Sequence, residues 1–309
     1  MQHDEGSARQ NPGRDEPEPL LPGADREPGP EGPGPERPGP GFEPHPLELG
    51  IFDRINNYLL LIYAGACLLM NYSLAGLLYF KGMIVLSLSL PGIFSIIFPF
   101  FFLSRRSMLG FAREFRFGAL GLKTTAVVLV ISAAAILPVE AFSSIFERMR
   151  PPDGDYTSFI LSIKPKGTAS FFSVASGIVI VAAVAEELLF RGFVQRIFQR
   201  NMNGALAVAL AGILFSLSHF NPPAIPGIAA LGILYGYIFY KTGNLWYPII
   251  GHAIFNLVTL GRLNYSTEEE IASVNVVMPD MKWTFVSLAV FVCALWLLRR
   301  LHRAAPAAR

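Results

Sequence analysis

From about residue 58 onward the chain alternates between long apolar runs and short polar connectors. The runs fall at about 58 to 80, 83 to 104, 124 to 146, 170 to 195, 205 to 221, 225 to 241, 245 to 261 and 283 to 301. Each is near the roughly 20 residues that a bilayer-spanning helix requires. The pattern predicts an all-α polytopic membrane protein with about eight transmembrane helices over residues 51–303. Pro91, Pro99 and Pro138 fall within the runs, where kinks are tolerated. Gly232 and Gly236 form a small-xxx-small pair that lets the sixth run approach a neighbour closely.

Residues 1–50 break the pattern. Repeated Pro-Gly steps, scattered acids and no apolar cluster predict a disordered acidic tail. It has no apolar core after a basic start, so the first hydrophobic helix is expected to direct insertion. This tail carries about seven more acids than bases, which makes the remainder basic although the whole chain is near neutral at +2. The basic residues lie in short connectors: Arg105, Arg106, Arg113, Arg116 and Lys123 after the second run, Arg196 and Arg200 after the fourth, and Arg299, Arg300, Arg303 and Arg309 at the end, with a short basic tail at 304–309. Eight spans put these on one face, and the positive-inside rule makes it cytoplasmic, with both termini there. Arg148, Arg150, Lys164 and Lys166 fall on the other side in this scheme. Such spacing suits a lipid surface and not nucleic acid. Glu268, Glu269 and Glu270, like Asp153 and Asp155, read as solvated connectors.

Composition agrees: 52% of residues are hydrophobic and 16% charged, a balance shifted from soluble proteins towards the bilayer. Cys67 and Cys293 both sit in apolar runs, which excludes a disulfide framework and a cysteine-based zinc site.

Against that background, ionisable groups inside the runs mark candidate chemistry. The fourth run holds Glu186, Glu187 and Arg191. Residues four apart share a helical face, so Glu187 can pair with Arg191 while Glu186 points elsewhere. Alone, the pair could be an ordinary interfacial one. The fifth run ends in Phe215-Ser216-Leu217-Ser218-His219. The turn at 201–204 makes these two runs an antiparallel hairpin, and Glu186 and His219 both lie roughly 25 Å of helix from it, hence at one depth. In the seventh run His252 and Asn256, four apart, can present donors to a common point, although either could be interhelical glue. Ser216 and Ser218 lack a nucleophile setting and are expected to bond their own helix backbone. A buried carboxylate, two histidines and an asparagine suit hydrolysis. The carboxylate serves as general base for water, one His as its proton partner, and the other His with Asn as oxyanion donors.

Glu-Glu-x-x-x-Arg at Glu186, Glu187 and Arg191, Phe-x-x-x-His at Phe215 and His219, and His-x-x-x-Asn at His252 and Asn256 resemble the three motifs of the CPBP family. These are the CAAX proteases and bacteriocin-processing enzymes, also called the Abi family, which includes the type II CAAX prenyl endopeptidases. The resemblance covers about residues 170–260. It implies an eight-helix intramembrane protease of a bacterial plasma membrane, acting on a membrane-associated polypeptide with a glutamate-activated water and no cofactor. By position, Glu186 is the general base, His219 its partner, and His252 with Asn256 the oxyanion stabilisers; Glu187, Arg191 and Phe215 support them. All motif positions are intact, as in an active member. Two alternatives remain: a zinc-dependent protease using Glu186, His219 and His252 as ligands, and a non-catalytic scaffold or immunity protein on the same fold.

Overall fold

The computed structural model describes residues 50–107, 109–151, 154–272 and 278–302. The expected tails at 1–50 and 304–309 lie outside these apart from Gly50, as does Asp153. Every regular element among the described residues is helical, and the chain is an all-α integral membrane protein.

Among the described residues, eight long helices occupy the eight apolar runs. Five are long and apolar enough to cross a membrane: Asn57–Phe80, Ile84–Ser104, Leu122–Met149, Thr168–Asn201 and Met281–Leu301. These are the first, second, third, fourth and eighth. The fifth, Gly204–Leu217, is shorter. The sixth and seventh are Ile225–Thr242 and Trp246–Tyr265. The fifth run was expected to stay helical to about 221 but stops at Leu217, because Pro222 and Pro223 cannot continue a helix and disfavour helical backbone just before them. Polar connector residues start several helices. Side chains of Asn56, Asn203 and Asp280 accept from Tyr58, Leu206 and Trp283 amides at 2.8, 2.9 and 3.2 Å, satisfying orphan donors.

Two of the long helices are widened locally. The second passes through a π-helical segment, Gly92–Ile97, just before Pro99, which lacks the N–H for an ordinary helical bond. The fourth contains two such segments, Ser176–Ala182 and Phe190–Gln195. Single wide turns of this kind occur often at functional sites.

Glycine allows the closest packing. A Cβ on Gly212 would sit 2.7 Å from the Ile233 amide nitrogen, and one on Gly232 2.7 Å from the Gly212 carbonyl. The fifth and sixth helices therefore touch backbone to backbone. Gly236, the other half of the small-residue pair, faces Gln195 on the fourth helix instead, whose Nε2 donates to the Gly236 carbonyl at 3.0 Å. Gly212→Val is expected to destabilise the protein by about 1–3 kcal/mol through overpacking, seen as a lower thermal midpoint in detergent; an unchanged midpoint would count against this contact.

The basic connectors gather at one end of the bundle. Arg54, in the short helix Ile51–Arg54, donates to the Arg106 carbonyl at 3.2 Å, and Arg200 pairs with Asp53 at 2.9 Å. Arg196 donates to the Glu114 carbonyl and lies over the Phe52 ring at 3.9 Å. The Glu114 carboxylate in turn accepts from the Ile51 amide at 3.3 Å. The other end carries short helices at Gly154–Ile163 and Glu268–Ala272. Cys67 is buried and Cys293 exposed, both unpaired.

Candidate active site

Between the two wide segments of the fourth helix, Ala183–Leu189 is ordinary α-helix and carries both glutamates. Their side chains diverge, as residues one apart must. Glu187 is fully buried, while Glu186 remains 29% exposed and open to a substrate.

Glu187 Oε1 accepts from Arg191 Nη1 at 2.8 Å. The pairing is the one helical spacing predicts, but with exposures of 0% and 1% it is an interior pair and not an interfacial one. Arg191 Nη2 also donates to the Gly232 carbonyl at 2.9 Å, and its guanidinium lies 4.5 Å from the centre of the Phe215 ring. The close backbone approach of the sixth helix thus supplies a partner for the charge.

His252 reaches the same carboxylate from the seventh helix. Its Nδ1 lies 2.8 Å from Glu187 Oε1, and its ring stacks on Tyr235 at 5.6 Å and 13°. The Tyr235 hydroxyl donates to the Gly251 carbonyl at 3.0 Å. One oxygen of Glu187 therefore binds the Arg191 and His252 motifs together.

His219 lies in the turn beyond the fifth helix, with Nδ1 2.8 Å from the Phe215 carbonyl. A carboxylate and a carbonyl can only accept here, so each histidine carries a proton on Nδ1 and presents Nε2 elsewhere. Both Nε2 atoms turn to the same oxygen, Glu186 Oε2, at 3.8 Å from His252 and 4.0 Å from His219. The Phe215 ring stands edge to face with both imidazoles, at 4.8 Å from His219 and 5.8 Å from His252.

Asn256, one turn beyond His252, is tied to the fourth helix. Its Nδ2 donates to the Ile178 carbonyl at 2.9 Å, in the first wide segment of the fourth helix, where displaced carbonyls are open to side-chain donors. One of its two amide hydrogens is thus committed. Ser216 and Ser218 donate to their own helix, to the Ile213 and Phe215 carbonyls at 2.8 and 2.7 Å.

Among the described residues no group of three or more His, Cys, Asp or Glu is arranged to hold a metal ion. The 3.8 and 4.0 Å separations within Glu186, His219 and His252 exceed the ~3.3 Å expected between two ligands of a tetrahedral zinc.

Residues 168–258 match the family model described as type II CAAX prenyl endopeptidase Rce1-like. This segment carries the likeness to the CAAX-protease family. The CAAX-protease domain runs from the start of the fourth helix to just past Asn256 and encloses all three motifs. Neither a curated protein nor a solved structure matches the chain. The match and the membrane-spanning helices together support a CAAX-type intramembrane protease in general terms, a class that acts on polypeptides in the membrane. Within the CAAX-protease domain, sequence reasoning passed over Tyr235 and Gln195. Tyr235 sits between Gly232 and Gly236 on the helix that closes on the site, a position whose only signal is those two glycines.

Proposed function

We propose that this CAAX-type protease hydrolyses a peptide bond near the C-terminus of a membrane-associated polypeptide, using a water held by Glu186, His219 and His252. One observation carries the reading: two imidazoles, each fixed through Nδ1, converge with Nε2 on a single carboxylate oxygen. Gaps of 3.8 and 4.0 Å are too long for direct hydrogen bonds and suit one bridging water.

In this scheme Glu186 takes a proton from the water as its oxygen bonds to the scissile carbonyl carbon. The developing oxyanion is met by the remaining Asn256 N–H and by His252 in its doubly protonated form, which has an N–H on Nε2 as well as the one that Glu187 holds on Nδ1. As the C–N bond breaks, the proton passes through His219 to the departing amine. Each water hydrogen is then accounted for, one on the amine and one on the new carboxyl group. Glu187 and Arg191 hold His252 and the fourth helix in place.

The mechanism uses no metal, and the ligand separations support that choice over zinc. The basic end of the bundle supports a cytoplasmic face for the loops at 105–123 and 196–204 and for both termini, by the positive-inside rule; the membrane would be a bacterial plasma membrane.

The test is cleavage of a farnesylated, fluorogenic peptide ending in a C-a-a-X sequence by purified protein in detergent. Turnover is expected, and exhaustive chelation should leave the rate within about twofold, since no ligand bond contributes to the transition state. Loss of activity on chelation, restored by zinc, would transfer the reading to a metalloprotease. A phenotype that survives substitution of His219 and His252 would favour a non-catalytic scaffold.

A further inference from the structure

His219 is the one residue of the site that no helix carries. The fifth helix ends at Leu217, and Ser218, His219 and Phe220 continue as a turn in which Phe220 adopts φ +50°. A bulky residue in the left-handed region is strained and persists where its surroundings over-determine it. Some of that restraint is internal: Ser218 Oγ and His219 Nδ1 share the Phe215 carbonyl at 2.7 and 2.8 Å. These bonds tie the turn to the last turn of the fifth helix and reach no other element.

The external restraint comes from Tyr72, on the first helix. Its hydroxyl donates to the Ser218 carbonyl, and its ring meets Phe220 edge to face at 5.2 Å and 83°. Tyr72 therefore grips the residues immediately before and after His219. Glu186 is within electrostatic reach of the same phenol, so the grip lies beside the reacting groups. A second brace arrives one residue on, where the Tyr156 hydroxyl bonds the Asn221 side chain. Burial, with the neighbouring Glu147 charge, pushes the Tyr156 phenol up and keeps it a neutral donor. Nothing in the composition of the first helix marks Tyr72. It lies far outside the 168–258 match, on a helix whose neighbouring residues Leu69 and Met70 are exposed.

We propose that Tyr72 is a positioning residue: it fixes the turn at 218–220 so that His219 Nε2 stays aimed at Glu186. The inference rests on the hydrolytic reading of the site. It assigns to the first helix a part in catalysis, although none of the three motifs lies on that helix.

The test compares wild type with Tyr72→Phe, which keeps the ring and removes only the hydroxyl. Hydrogen–deuterium exchange in detergent is expected to speed up in the peptide containing His219 and Phe220, whose amides bond the Ser216 and Leu217 carbonyls, with no change in the third and eighth helices. With the farnesylated C-a-a-X probe, kcat should fall on the order of tenfold while KM stays within about twofold, the signature of lost alignment. Leu69→Ala, on the exposed side of the same helix, should change neither. Unchanged exchange at 218–220, wild-type kcat, or a kcat loss matched by a general fall in thermal midpoint would each overturn the proposal. Glu186→Gln serves as the separate control. Full turnover by that variant, or no turnover by wild type, defeats the hydrolytic reading on this probe, while the exchange result still decides whether Tyr72 holds the turn.

Discussion

Glu186→Gln is expected to yield a folded, membrane-inserted protein that no longer processes its substrate. The carboxamide matches the carboxylate in shape, and the removed charge makes no direct hydrogen bond to either histidine at 3.8 and 4.0 Å. The fold therefore loses little, and the thermal midpoint should stay close to wild type. The chemistry loses its general base, a contribution of about 10²–10⁴-fold. Comparing C-terminal peptides of membrane and surface proteins in cells carrying wild type or Glu186→Gln measures the effect and identifies the substrates at once. Complete processing by the variant would sink the assignment of Glu186 as base.

Glu187→Ala should act through a different route, damaging the fold and the site together. The side chain is fully buried and one of its oxygens holds both Arg191 and His252 at 2.8 Å. Removing it leaves a buried guanidinium whose remaining polar contact is the Gly232 carbonyl, a defect worth about 3–5 kcal/mol. It also frees His252 from the bond that sets its ring orientation and its tautomer. The expected result is a markedly lower thermal midpoint with activity lost even in the fraction that remains folded. A double-mutant cycle between Arg191 and His252 sharpens the point. Because both lean on one oxygen, their effects should be less than additive by at least 0.5 kcal/mol. Strict additivity, or a Glu187→Ala protein as stable as Glu186→Gln, would show that the shared carboxylate does not couple them.

The contrast between the adjacent glutamates was legible in the sequence, because helical spacing alone sends Glu187 towards Arg191 and Glu186 elsewhere. Hairpin counting likewise brought His219 to the depth of Glu186. Both inferences use distances along one helix or across one turn, which periodicity reports directly. What it does not report is the rotational register of one helix against another. The bond from His252 to Glu187, the engagement of Asn256 with Ile178 and the contact of Tyr235 on His252 all depend on that register. The wide turns at 176–182 and 190–195 have no composition that distinguishes them from ordinary helix, yet they set where Arg191, Gln195 and the Ile178 carbonyl point. The short helices at 51–54 and 154–163 were missed because elements that brief carry too little periodicity to register. Run length overstated the fifth helix, since Ser218, His219, Phe220 and Asn221 lie between the apolar stretch and a proline pair that cannot continue a helix.

The position of Glu186 along its helix also bears on what can reach it. It stands fifteen residues from Asn201, roughly 22 Å of helix from the basic end of the bundle, well inside a hydrocarbon layer about 30 Å thick. A polypeptide tail that enters from that end must shed water from every amide it brings, at a cost of several kcal/mol for each one left without a partner. A short polar tail could not meet that cost alone. A hydrocarbon chain attached near the tail returns about 0.8 kcal/mol for each methylene it buries. On the proposed hydrolytic reading, depth itself would act as a filter, favouring peptides that carry a greasy anchor before any side chain of the enzyme inspects their sequence.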